Sequence, residues 1–251
     1  CTRELDGTNT SLTNCDNQTM ASLSDGQHGV KVYVNDTAGN IGISSAVTFT
    51  VDTTAPTVAI QNPANSTFAS SSVNLNFTVS DASPISTCIR ELDGTNTTIA
   101  GCSNQTMTGF GDGQHNVKIY ANDTAGNMGN SSRVLFTIDT TPFTVVFVPP
   151  TPNNETINIT SAFINVTTGE TPNAILLEWN STNETMSGSG TNWFKNKTSL
   201  ENGNYTFRVY VNDSAGNLNV SESRYVFVSV SFFVSIQNPR NVTINFNASV
   251  P

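Results

Sequence analysis

The sequence predicts an all-β fold, a series of antiparallel β-sandwiches arranged end to end, and three observations carry that reading. Apolar residues recur at every second position, one pattern returns every 87–90 residues, and turn residues punctuate the runs. In order along the chain, Val30, Val32 and Val34 alternate with Lys31, Tyr33 and Asn35. Val73, Leu75, Phe77 and Val79 alternate with Asn74, Asn76 and Thr78. Val117, Ile119 and Ala121 repeat the first run, as do Phe207, Val209 and Val211, and Val242, Ile244, Phe246 and Ala248 repeat the second. Such runs place one face in a core and the other in water. Asp6-Gly7, Asp93-Gly94 and Ala125-Gly126-Asn127 supply turns between them. No stretch sustains a 3.6-residue stripe, and Thr, Val and Asn are weak helix formers.

The repeat is explicit in the residues. Cys1-Thr-Arg-Glu-Leu-Asp-Gly-Thr-Asn-Thr returns as Cys88-Ile-Arg-Glu-Leu-Asp-Gly-Thr-Asn-Thr, and Asp25-Gly26-Gln27-His28 returns as Asp112-Gly113-Gln114-His115. YVNDTAGN at 33–40 becomes YANDTAGN at 120–127 and YVNDSAGN at 210–217, while VAIQNPANST at 58–67 returns as VSIQNPRNVT at 234–243. Four segments follow. Residues 1–53 hold the later part of a sandwich without its opening strands; 54–141 make a complete one. Residues 142–231 make a complete but divergent one without Cys, and 232–251 hold the opening strands of a further one. The tail thus holds what the head lacks. It is expected to complete residues 1–53 of a neighbouring repeat or subunit, since unpaired strand edges invite association.

The run D-G-Q-H-x-V-x-V-x-V-x-D-x-A-G-N, followed by a strand and by VDTTAPTV at 51–58, resembles the end of a bacterial or archaeal Ig-like repeat and the boundary to the next. The resemblance covers essentially the whole chain. It implies tandem Ig-like sandwiches of the kind stacked in surface adhesins, S-layer-associated proteins and extracellular fibres, and specifies no activity.

Composition narrows the function further. Net charge is −9, with 10 Lys+Arg scattered along the chain, which argues against nucleic acid as a partner. The longest apolar run, 225–236, is broken by three serines and is too short to span a bilayer, so no membrane segment is expected in these residues. An exported chain is expected to have carried a leader ahead of them. Cys1, Cys15, Cys88 and Cys102 flank the two Asp-Gly turns, and four cysteines allow three pairings. Equivalent positions should make equivalent contacts, which favours Cys1–Cys15 and Cys88–Cys102. Each would close a loop worth about 3 kcal/mol and place the chain outside the cytosol.

Asn, Thr and Ser number 33, 36 and 27 of 251 residues, while charged residues make up only 12%. Twenty Asn-x-Ser/Thr sequons occur where chance would give about eight: Asn9, Asn17, Asn35, Asn65, Asn76, Asn96, Asn104, Asn122, Asn130, Asn154, Asn158, Asn165, Asn180, Asn183, Asn196, Asn204, Asn212, Asn219, Asn241 and Asn247. Asn76 stands on the polar side of its strand, and Asn35, Asn122 and Asn212 stand opposite valine faces. Glycans at these positions would replace the charged coat that the chain lacks.

Little points to catalysis. His28 and His115 occupy one repeat position that the third copy fills with Tyr205, so a space-filling role at the start of a strand is expected of them. Asp36, Asp123 and Asp213, with Asp52 and Asp139 in the linkers, are conceivable Ca²⁺ ligands, as in cadherin-like repeats. No acidic run such as DxDxD accompanies them, so closure of their own turns is favoured and no cofactor is expected. Trp179 and Trp193 could form a sugar-stacking surface, although strand aromatics more often pack in a core. No P-loop, GxGxxG or nucleophile–base pair is present. The expectation is a non-catalytic structural subunit of a glycosylated extracellular fibre or stalk, with other copies of itself as partner. The alternative is a cell-surface adhesin segment whose divergent third unit binds a carbohydrate or protein, and a carbohydrate-active enzyme ranks last.

Overall fold

The computed structural model describes residues 1–231, and the expectations for 232–251, including Asn241 and Asn247, lie outside them. The described chain is all-β apart from two single-turn 3₁₀ segments, and it divides into two compact units, residues 1–140 and residues 141–231. Unit 1 opens with β1 (Thr2–Leu5), β2 (Thr8–Ser11), β3 (Gly26–Asn35), β4 (Ile41–Ile43) and β5 (Val47–Val51). They form one sheet in the order β2-β1-β3-β4, with β5 also paired to β3.

A full sandwich follows. It comprises β6 (Thr57–Asn62), β7 (Thr67–Phe68), β8 (Ser72–Ser80), β9 (Ile85–Leu92), β10 (Thr95–Ile99), β11 (Gln105–Thr108), β12 (Gly113–Asp123), β13 (Met128–Asn130) and β14 (Val134–Ile138). One sheet runs β10-β9-β12-β14-β7 with β13 on β12, and the other runs β11-β8-β6. The period-two pattern explains the packing. Val73, Leu75 and Phe77 turn inward and meet Cys88, Val117, Ile119, Ala121 and Phe136 from the facing sheet, while Asn74, Asn76 and Thr78 face water.

Unit 2 repeats the plan with β15 (Val145–Phe147), β16 (Glu155–Ile157), β17 (Ala162–Thr168), β18 (Ala174–Trp179), β19 (Thr182–Thr185), β20 (Ser187–Ser189), β21 (Asn192–Lys197), β22 (Gly203–Asn212), β23 (Leu218–Val220) and β24 (Arg224–Val228). Its sheets run β16-β24-β22-β18-β19, with β23 on β22, and β15-β17-β21-β20. In both sandwiches a short early strand pairs parallel with the last one, β7 with β14 and β16 with β24, so the opening segment serves both sheets.

The turns obey the residues that make them. Asp6-Gly7 and Asp93-Gly94 take positive φ at both positions (51° and 79°, 49° and 81°), the two-residue hairpin geometry that suits Gly. In unit 2 the same turn is made by Asn180 and Ser181, at 48° and 66°. The structure joins Cys1 to Cys15 and Cys88 to Cys102, each pair bracketing its hairpin with Cα atoms 5.3 and 5.2 Å apart.

One glycine is required by a close approach. The linker carbonyl of Pro56 runs against Gly129 on β13, where a Cβ would lie 1.8 Å from that oxygen. The corresponding linker carbonyl in unit 2, Phe143 O, accepts a 2.8 Å bond from Asn219 Nδ2, a side chain standing where Gly129 stands. We expect Gly129→Ala to lower stability by about 1–3 kcal/mol, because a backbone carbonyl cannot yield as a side chain can. Chemical denaturation of the pair would show it, and an unchanged midpoint would mean the linker moves freely.

Candidate functional site

The candidate surface of this protein is the first sheet. In the sandwich of β6–β14, the residues facing the second sheet are buried: Val117 and Ile119 are at 0% exposure and Ala121 at 1%. Their counterparts in β3 are Val30, Val32 and Val34; the first two are half-buried and Val34 is 47% exposed. Met20, Phe49 and Val51 are likewise only half-buried where Met107, Phe136 and Ile138 are fully enclosed. The face is apolar, and among the described residues no second sheet covers it. A groove of about 360 Å³ crosses it beside the disulfide, lined by Arg3, Leu12, Cys15, Met20, Val30 and Val32.

The histidines do more than fill space. His28 is buried, with Nδ1 2.6 Å from Asp6 Oδ2 and Nε2 2.8 Å from the Ser24 carbonyl. His115 makes the same pair of contacts, to Asp93 Oδ2 at 2.7 Å and to the Gly111 carbonyl at 3.0 Å. A carboxylate and a carbonyl only accept, so both bonds form only when the ring carries two protons. For His28, the Asp6 bond and then the Ser24 carbonyl raise the imidazole pKa above its usual 6.5. For His115, burial works to lower it, and the bonds from Asp93 and Gly111 outweigh burial and raise it. The two rings thus latch hairpin tips to the strands behind them. In unit 2 the latch is neutral: Tyr205 Oη donates to the Glu201 carbonyl at 3.1 Å, and Asn180 Oδ1 accepts from Thr206 N. Both signals lay in the sequence as the DG…DGQH spacing, but which partner each ring would find did not.

The turn aspartates close their own loops. Asp123 Oδ1 accepts from Gly126 N at 2.7 Å and Asn127 N at 2.9 Å, while Oδ2 accepts from Asn127 Nδ2. Asp213 makes the corresponding bonds, and Asp36 accepts from Asn40 N and Nδ2 with Ala38 N in place of the glycine. Burial works to raise the Asp123 pKa, yet these donors hold it below the usual carboxylate range. The fold adds what no linear motif announced. Asp52 after β5, Asp81 after β8 and Asp123 at the end of β12 bring one carboxylate oxygen each within 4.8 Å of one another. These are the residues that could hold a cation, although Asp52 and Asp81 already accept from Thr54 N, Ser83 Oγ and Ser83 N.

Trp179 is core, 6% exposed and stacked on Tyr205 and Phe207. Trp193 is half-buried, with Nε1 donating to the Gly190 carbonyl, so the two tryptophans do not form a sugar-stacking surface. Eighteen sequon asparagines fall on described residues. Asn9, Asn17, Asn35, Asn65, Asn76, Asn96, Asn130, Asn158, Asn183, Asn196 and Asn204 are exposed. Asn104, Asn154 and Asn180 are also exposed, each accepting a backbone bond through Oδ1 and leaving Nδ2 for a sugar. Asn122, Asn165, Asn212 and Asn219 are half-buried, and Asn165 and Asn219 spend Nδ2 on backbone carbonyls.

Residues 3–53 match the protein family described as bacterial Ig-like domain. The near-identical motifs 87 residues on carry that likeness into the second copy. Among solved structures, the chain is similar to the fibronectin(III)-like modules of Clostridium thermocellum CbhA, at 18% identity and TM-score 0.43, over 73% of this chain and all of that one. It is also similar to extracellular domains 3–5 of Drosophila OTK, at 13% identity and TM-score 0.44, over 91% and 85% of the two chains. The FN1–FN3 domains of chicken CNTN1 match at 11% identity and TM-score 0.35, over 80% and 77%. No curated protein matches the chain in sequence. Domains of this fold are typically structural or binding modules, and the disulfides suit a surface or extracellular location. Among the described residues no helix is long and apolar enough to cross a membrane.

The histidine latch carries a pH dependence of known sign. Because the folded pKa of each ring lies above 6.5, its stabilisation is complete below that pH and is lost as pH rises through the folded value. The unfolding midpoint of unit 1 should therefore fall as pH rises above 6.5 and through the folded values. The variant D6N/H28Y/D93N/H115Y, which copies the latch of unit 2, should show a flat profile in the same thermal scan.

Proposed function

We propose that this chain is a non-catalytic structural subunit of a glycosylated extracellular fibre or stalk, its Ig-like sandwiches joined head to tail. The uncovered apolar face of the first sheet supports this reading most directly. Val30, Val32, Val34 and Phe49 need the cover that β6 and β8 give their counterparts in the following sandwich. The chemistry of that cover is written in the chain itself. VSIQNPRNVT at 234–243 repeats the sequence of β6 and its turn, and Val242, Ile244, Phe246 and Ala248 repeat the inward residues of β8. Strands of this sequence, supplied by a neighbouring copy, would bury several large side chains, each worth about 1.5–3 kcal/mol. They would also pair an open edge. The exposed sequons spread over both units would carry N-linked glycans that keep a weakly charged fibre in solution. The adhesin alternative loses its tryptophan surface, since Trp179 is core.

Two measurements test the proposal. The full chain should form linear polymers by negative-stain microscopy, whereas residues 1–231 should stay monomeric and bind a synthetic 232–251 peptide. Filaments from the truncated chain would overturn the joint. Glycopeptide mapping of material from an N-glycosylating host should find sugar at the fourteen exposed asparagines named above and little at Asn165 and Asn219. A native mass equal to the 26.8 kDa of the bare chain would remove the coat.

A further inference from the structure

The outer face of the β15-β17-β21-β20 sheet carries an arrangement that the core does not use. Ile164 and Val166 are fully buried, so the alternate residues Phe163, Asn165 and Thr167 point outward. β21 pairs with β17 so that Asn196 lies opposite Phe163, and Phe194 lies opposite Asn165. Both strands read Phe-x-Asn-x-Thr, as Phe163-Ile-Asn165-Val-Thr167 and Phe194-Lys-Asn196-Lys-Thr198. The two rings stack at 5.4 Å between centroids and 15° between planes. Phe194 remains 42% exposed.

The two asparagines differ. Asn165 is half-buried and its Nδ2 donates to the Pro149 carbonyl at 3.3 Å. Asn196 and the hydroxyl-bearing Thr198 of its sequon are exposed. A substituent on Asn196 therefore leaves the sheet with Phe194 two residues back on its own strand and Phe163 directly across. Cβ atoms of directly opposed residues lie only about 4.5–5.5 Å apart. That is the reach of one pyranose ring.

We propose that the first sugar of an N-glycan on Asn196 lies over the Phe163–Phe194 stack, which serves as its seat. The chemistry is matched. A pyranose presents a face of polarised C–H groups, and the electron-rich face of a phenyl ring attracts them while both surfaces leave water. The proposal rests on the reading that exposed sequons are glycosylated. Asn76 on β8, the counterpart of β17 in the preceding sandwich, supplies an internal control. It is exposed, but its neighbours are Asn74 and Thr78 on its own strand and Asn62 across from it.

The test uses the full chain from an N-glycosylating host grown on ¹³C-labelled sugar, with glycopeptide mapping to assign occupancy. Ring protons of the first sugar at Asn196 should be shifted upfield by the aromatic ring current, and those at Asn76 should not. Phe163→Leu with Phe194→Leu keeps apolar bulk on an outer face and should abolish the shift without unfolding unit 2. Enzymatic removal of the glycan should lower the unfolding midpoint of the parent chain and leave that of the double variant unmoved. Occupied Asn196 with unshifted sugar protons overturns the seat and leaves the glycan coat intact. Bare Asn196 beside occupied Asn76 does the same, whereas bare asparagines throughout would overturn the coat as well.

Discussion

Face-to-face burial of two sheets, each contributing every second residue, is the interaction on which this molecule depends. With charged residues at 12% and hydrophobics at 36%, the chain has few apolar side chains to spare, and the strand alternation concentrates them on inner faces. Where both sheets are present the result is a closed core, as around Leu75, Ile119 and Phe136, or Ile164, Leu177 and Val209. In the first sheet, which no second sheet covers among the described residues, Val30, Val32 and Phe49 are only half-buried.

The repeats solve recurring local problems with interchangeable chemistry. Tyr33, Tyr120 and Tyr210 each donate to a glutamate across the strand pair, Glu4, Glu91 and Glu178. The hairpin tip is tied down by an Asp–His pair twice and by neutral Asn and Tyr once. The linker carbonyl is met by a missing side chain at Gly129 and by an amide at Asn219. Disulfides reinforce two copies and are absent from the third, whose core is enlarged by Trp179 stacked between Tyr205 and Phe207. The bridge and the larger aromatic core are alternative reinforcements of one frame.

Polar surface carries the remaining design. Outward strand positions are given to Asn and Thr, as at Asn74, Asn76 and Thr78, and this is what makes the sequons so dense. The structure divides them by what Nδ2 is doing. Asparagines that hold a backbone carbonyl are part of the framework, and the exposed ones on strand faces and turns are the attachment points of the proposed glycan coat. The phenylalanines beside Asn196 belong to this outer layer and not to the core.

What the sequence alone determined is everything that depends on short-range periodicity. Alternation every two residues set the strands of β3, β8, β12 and β22. The 87–90-residue repeat marked the sandwiches, and the equal spacing of Cys1–Cys15 and Cys88–Cys102 anticipated the bridges that the structure forms. What only the tertiary structure decided is which of these residues meet. The approach of Asp81 to Asp52 and Asp123, the choice of Asp6 and Asp93 by the histidines, and the lattice of Phe163, Asn165, Phe194 and Asn196 all join distant strands or loops. The reason is register. The residue type fixes which face a side chain occupies, but only the pairing of one strand against another sets its neighbour across the gap.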